Sequence, residues 1–254
     1  MANKQVSIKQ QFFAPIKHEI IPKAEYKRLA FLPDLFEKVS RVTNQSLYII
    51  DYSKENFYFV SSHPLFLCGY TPEEVTKMGY SFYEQVLSPE DLQMLLEVNK
   101  LGWESFYKVK PTKRVYGCFS YDFYLHHKNG SKTLITHKIS PIFLSKTRNI
   151  WLALCTVTLS SQKSSGNVIF TLNNMSDYYT YDFGAKQTIK YEPKLLNERE
   201  RVIFALMMRG FSDTDIAKEL NISYHTVRTY HKHIVQKLDV SNSTCAVVKF
   251  HTQF

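Results

Sequence analysis

The chain lacks most of the features that announce secretion, membrane residence or catalysis. Its four cysteines, Cys68, Cys118, Cys155 and Cys245, stand far apart and form no CxxC pair. That spacing argues against a zinc site or a disulfide scaffold and fits a reducing cytoplasm. No apolar run approaches the roughly 18–20 residues that a membrane span needs. The longest, Ile150 to Val157, reads as a buried strand. Met1 to Gln11 is polar and lysine-bearing, without the apolar core of a secretory signal. There is no glycine-rich phosphate loop, no set of paired carboxylates and no nucleophile–base arrangement, so no enzyme is expected. Asp51 ends a strand, but the acidic cluster that would hold magnesium beside a phosphoacceptor is missing. Internal repeats are absent as well. The expected location is cytoplasmic, with no membrane partner, no metal and no cofactor.

What is present fits two modest domains. The 254 residues are 44% hydrophobic, so a core can be buried, and 32 Lys+Arg against 23 Asp+Glu give a net charge of +9. A basic balance favours an anionic partner. The excess is spread along the chain, because Tyr191 to Phe254 carries nine basic and seven acidic residues. Any nucleic-acid signal there must come from placement. Residues 1–35 read as an irregular arm followed by the start of a helix, with Leu35, Phe36, Val39 and Val42 at helical spacing. Residues 36–160 alternate strands and helices. Residues 161–192 open on Ser-Ser-Gln-Lys-Ser-Ser-Gly and read as a linker with three short strands. From residue 193 to 254 the pattern is all helix.

Capping signals divide that last region. Asn197 precedes Glu198-Arg199-Glu200, an Asx cap with an acid three residues on. The helix it opens stops at Gly210. Ser212 with Asp215 opens a second helix, Asn221-Ile222 makes a tight turn, and Ser223 caps a third from about Tyr224 to Leu238. Two short helices joined by a tight turn, the second polar and basic, form the helix-turn-helix pattern. At about 100° per residue, Val227, Tyr230, His231, Ile234 and Leu238 share the core side. The opposite side shows His225, Arg228, Thr229, Lys232 and Gln236, flanked by His233. Between Ser223 and Leu238 there are three basic residues and no acid. Arg and Lys can donate to guanine, Thr can offer a methyl or hydroxyl, and Gln can read adenine. Tyr224, Thr226 and Lys237 suit phosphate contacts.

The run Leu196-Asn197-Glu198-Arg199-Glu200-Arg201, with Gly210-Phe211-Ser212, Asp215-Ile216-Ala217, Leu220-Asn221-Ile222-Ser223, Thr226-Val227-Arg228 and Lys237-Leu238, resembles the LuxR/NarL-type DNA-binding domain. The likeness spans about Leu195 to Val248. It implies a four-helix domain that binds double-stranded DNA as a homodimer, with its last helix at Ser243 to Phe250. It places base contacts on Arg228, Thr229 and Lys232. Departures are Asn197, Val202, Arg228, Tyr230, Asp239 and Ser243. Val202 and Ser243 together imply that one of the family's internal ion pairs is missing, so Val202→Glu with Ser243→Arg should stabilise more than the single changes summed.

Between Phe36 and Leu159 the chain resembles a PAS domain. The matching runs are Tyr58-Phe59-Val60-Ser61, Phe66 through Val75, and Ser88-Pro89-Glu90-Asp91, with Asn129-Gly130 as a hairpin turn. The resemblance implies a five-stranded antiparallel sheet with short helices on one face and Ile150–Val157 as its last, central strand. The cysteine of light-sensing flavin versions falls on Tyr80, which argues against that chemistry. His63, His126, His127 and His137 are available as haem ligands, but surface or structural roles are expected of them. The aromatic residues are expected in the core, with room for a small apolar or aromatic ligand. The expected whole is an α+β protein: a PAS-like sensor followed by an all-α helix-turn-helix domain, acting as a one-component transcription regulator. The rival is a PAS-mediated interaction module with weak or non-specific DNA binding, which affinity at physiological salt would separate.

Overall fold

A computed structural model describes residues 6–17, 19–172, 177–191, 196–238 and 240. The chain divides into two compact units, residues 1–159 with 164–190, and residues 160–163 with 191–254.

The first unit begins with α1 (Ile8–Phe13), inside the segment expected to be an irregular arm. Ser7 and Gln10 close a capping box around its first turn, and Ile8, Phe12 and Phe13 are buried in the core. A six-residue helix is too short to show a period. Pro22 precedes α2 (Lys23–Arg28), and α3 (Leu32–Thr43) follows with Pro33 in its first turn. The helix read over this stretch, interrupted or started near Pro33, starts at Leu32, and α2 precedes it as a separate element.

Next come β1 (Ser46–Asp51), β2 (Asn56–Val60), α4 (Pro64–Leu67), α5 (Pro72–Met78), a 3-10 turn at Gly79–Ser81, α6 (Phe82–Val86) and α7 (Pro89–Lys108). Ser88 caps α7 by accepting from the Asp91 amide at 3.1 Å. After a 3-10 turn at Pro111–Tyr116 the chain forms β3 (Cys118–His126), β4 (Lys132–Leu144), β5 (Ile150–Leu159), β6 (Gly166–Leu172), β7 (Asp177–Asp182) and β8 (Gln187–Tyr191).

These strands form one sheet in the order β2-β1-β5-β4-β3-β6-β7-β8. The apolar strand β5 lies between β1 and β4, the central place expected of it. The sheet has eight strands, not the five implied by the PAS resemblance. Its extra strands are those expected in the linker. β6 pairs antiparallel with β3 and sets Phe119 opposite Phe170, their rings stacked at 4.5 Å. β7 pairs with β6, and Tyr181 donates to Glu97 of α7 at 3.0 Å. These strands look like a connection in sequence because the one that joins them to the sheet, β6, pairs with β3 some fifty residues away.

One face of the sheet carries an aromatic core against α1 and α4 to α7. Tyr48 stacks on Phe66 at 4.2 Å and Phe57 on Tyr80 at 5.5 Å. The other face, with Ile49, Trp151 and Leu152, receives Leu29 and Leu32 from the α2–α3 region.

The second unit holds α8 (Glu198–Met208), α9 (Asp213–Glu219) and α10 (Tyr224–Lys237). The last helix expected at Ser243 to Phe250 lies outside the described residues, as do Asp239 and Cys245.

Candidate nucleic-acid interface

The local sequence fixes how α10 is held. Asn197 and Glu200 close a reciprocal capping box at the start of α8, with bonds of 2.8 and 2.7 Å. Gly210 adopts φ +83° beyond its end, where the Phe211 amide reaches back to the Leu206 carbonyl. Ser212 caps α9 on the Asp215 amide at 3.2 Å. The turn into α10 repeats this logic with an asparagine. Asn221 takes φ 49°, its amide bonds Lys218 O at 3.2 Å, and the Ile222 amide bonds Ala217 O at 3.0 Å. That is the Schellman arrangement, which satisfies the last carbonyls of α9 while the chain turns sharply. Ser223 then caps α10 on the Thr226 amide at 3.1 Å. Val227, Ile234 and Leu238 bury against Ile203, Phe204 and Ile216, so the rotation of α10 about its axis is set by packing.

That rotation leaves one broad face in solvent. Arg228, Thr229 and Lys232 are all exposed, and so are Tyr224, His225, Thr226, His233 and Gln236. The Thr229 hydroxyl donates to the His225 carbonyl at 3.0 Å, so the side chain presents its methyl and a lone pair outward. Tyr230 and His231 are half-buried at the edge of the core side.

Lys237 behaves differently. Its ammonium donates to Glu200 Oε2 at 2.7 Å, and the Glu200 side chain is 2% exposed. Burial pushes the Glu200 carboxyl up, but the bonds from Lys237 and the Asn197 amide, with the charges of Lys237 and His233, hold it below its usual value. One carboxylate therefore caps α8 and anchors the end of α10. Lys237, read from sequence as a phosphate contact, is half-buried with its ammonium on Glu200.

A second acid was also missed. Asp213, in the first turn of α9, lies 3.8 Å from Arg228 Nη1 and 3.4 Å from His231 Nδ1. The acid-free reading of α10 holds for the helix itself, while an acid from the neighbouring helix borders its exposed face. Periodicity within one helix cannot show a contact made between two.

Residues 194–250 match the model of the bacterial regulatory proteins, luxR family. The chain ends in a luxR-type helix-turn-helix. A stretch of 55 residues is 38% identical to the response regulator protein VraR of Staphylococcus aureus and of Staphylococcus epidermidis. That match covers 22% of this chain and 26% of each relative. Among solved structures, the chain resembles a VqmA dimer of Vibrio cholerae, described with LuxR-type receptors. Identity there is 12%, coverage 87% of this chain and 85% of that one, and the TM-score 0.34. An RNA-binding light-oxygen-voltage receptor matches at 10% identity over 82% of this chain and 48% of its own, with a TM-score of 0.31. Both structural likenesses are loose.

Within the luxR-type segment, Val202 is 41% exposed. Its proposed counterpart Ser243 lies outside the described residues. The internal ion pair that is seen, Glu200–Lys237, uses other positions.

In the first unit, a cavity of about 80 Å³ lies between α7 and strands β3 to β6, walled by Trp103, Phe106, Phe119 and Phe170. Tyr52 and Tyr121 also line it. The four candidate haem histidines are spread apart. His63 Nδ1 accepts from the Leu65 amide at 3.3 Å and caps α4. His126 is exposed, and His127 Nε2 bonds the Thr133 hydroxyl at 3.0 Å. His137 is 2% exposed, with Nε2 2.5 Å from the Tyr48 hydroxyl and Nδ1 unpartnered. Burial pulls its pKa down to about 3. No group of three or more His, Cys, Asp or Glu among the described residues could hold a metal ion. Asp51 accepts from the Tyr26 hydroxyl and from the amides of Ser53 and Lys54, a structural role in the β1–β2 turn. No helix among the described residues is long and apolar enough to cross a membrane.

Proposed function

We propose that this protein is a one-component transcription regulator that binds double-stranded DNA in a sequence-specific manner as a homodimer in the cytoplasm. In this reading α10 enters the major groove, and Arg228, Thr229 and Lys232 read base edges. Tyr224, His225, Thr226, His233 and Gln236 flank them on phosphates or neighbouring bases. The observation that carries the reading is the exposed basic face of α10, held in fixed rotation by the Asn221 turn, the Ser223 cap and the Val227–Ile234–Leu238 core. The matched family is one of regulatory proteins, not of enzymes.

The first unit is read as a PAS-like sensor of a ligand or partner. Its core comprises β2-β1-β5-β4-β3 with β5 in the central position, and the aromatic cavity beside α7 would take a small ligand. Two cavity walls, Phe170 and Leu172, belong to β6, from which the chain runs through β7 and β8 to the helix-turn-helix. Filling the cavity would shift β6, and the readout would be the spacing of two DNA-binding units on paired half-sites. Selection from a random duplex pool with the full chain tests the reading. A recovered two-fold-related motif is expected, and a pool without sequence preference would refute it.

A further inference from the structure

Helix α3 has a wider apolar arc than the sheet covers. At about 100° per residue, Leu32, Phe36 and Ser40 point toward the outer sheet face, and Leu32 and Ser40 are buried there. Beside them, Phe31, Leu35, Val39 and Val42 form a second stripe at spacings of four, four and three. Phe31 is 57%, Leu35 44% and Val42 81% exposed, with Val39 half-buried. Apolar positions at such spacing are how one helix buries against another. This stripe meets solvent.

The charges beside it discriminate between partners. Asp34 and Arg41 stand seven residues apart on one flank. Lys38, within the stripe, folds back to Asp34 at 2.7 Å, and Glu37 accepts from the Ser62 amide at 3.0 Å. We propose that the stripe docks on a second copy of this chain, α3 against α3, antiparallel about a two-fold axis near Lys38 and Val39, where each Lys38 charge is met by the Asp34 of its own helix. Leu35 then meets the partner's Val42, and Asp34 lies opposite the partner's Arg41. A parallel pairing would instead set Asp34 against the partner's Asp34 and Arg41 against the partner's Arg41, which is repulsive. The two-fold relation makes one patch complementary to itself, as closed dimers require. This surface rests on the dimeric reading above and asks nothing of the DNA-binding face.

The test uses the full chain in a background in which Cys118 and Cys245 are serine. Leu35→Cys and Val42→Cys proteins are oxidised separately and as an equal mixture. The mixture should form a disulfide dimer, while neither protein alone should. Like positions would sit about 10 Å apart along the axis, at a rise of about 1.5 Å per residue, beyond disulfide reach. In sedimentation, Asp34→Arg should weaken dimerisation about tenfold, and Asp34→Arg with Arg41→Asp should restore it. A dimer that neither cross-links in the mixture nor responds to the swap overturns this surface and leaves the dimeric reading standing. A chain monomeric up to roughly 100 µM overturns both.

Discussion

At residue scale, two carboxylates, Asp213 and Glu200, face basic residues of α10. Asp213 sits beside Arg228, which is 64% exposed at its side chain, so the guanidinium is restrained without being buried. Arg228→Ala should erase selectivity at one base position, costing about 1–3 kcal/mol there. Asp213→Asn should do something different. Binding to random duplex should rise because an acid near the phosphates is gone, while discrimination at the same base position falls because Arg228 is no longer oriented. Anisotropy titrations on matched and substituted duplexes separate the two, and an unchanged specificity ratio would refute the orienting role. Glu200 is the structural counterpart. Lys237→Ala leaves its buried carboxylate without its cation, which should cost about 2–3 kcal/mol of stability after allowance for the partly exposed lysine. The Glu200 carboxyl lies below its usual value in the folded unit, so its contribution is full above the unfolded value. It is lost as pH falls through the folded one. Urea midpoints of wild type and Glu200→Gln between neutral and acid pH should converge at the acid end. Neither acid's partner was legible in sequence, since periodicity orders residues within a helix and says nothing about pairs between helices.

At the scale of elements, the turn between α9 and α10 is where sequence and structure agree most closely. Asn221 occupies a left-handed conformation that L residues with larger side chains resist. Asn221→Gly should fold with near-native stability, whereas Asn221→Val should lose about 1–2 kcal/mol. Thermal melts of the two variants check this, and equal melting temperatures would contradict it. The three described helices of the second unit were legible because each opens on a side-chain cap at Asn197, Ser212 or Ser223 and the first two close on Gly210 and Asn221. The first unit was legible in part. β5 showed itself as an apolar run, and the hairpin at Asn129-Gly130 as a turn. α1 stayed hidden because six residues carry no period, and β6 showed itself as a strand while its place in the sheet did not, because it pairs with β3, a partner remote in sequence. The place of the cavity was equally hidden, since Tyr52, Trp103, Tyr121 and Phe170 converge only in three dimensions.

At the scale of the whole molecule, the proposed function links a cavity in one folded unit to a DNA-binding face on the other. The first unit carries its own pH dependence. Burial holds His137 neutral with a pKa near 3, whereas an unfolded histidine titrates near 6.5. The unfolded chain therefore binds the extra proton first, and this contribution is full above pH 6.5 and declines as pH falls toward 3. The slope should approach about 1.4 kcal/mol per pH unit at its steepest. Replacing His137 with glutamine should flatten that part of the stability profile while the second unit's melting stays unchanged. The proposed function, however, rests on the exposed face of α10. Its most direct measurement is the affinity of the full chain for its selected duplex against a scrambled duplex of equal length, at physiological salt. The account predicts a preference of roughly 10³-fold or more, lost with Arg228→Ala and Lys232→Ala together. Equal affinity for both duplexes would contradict it.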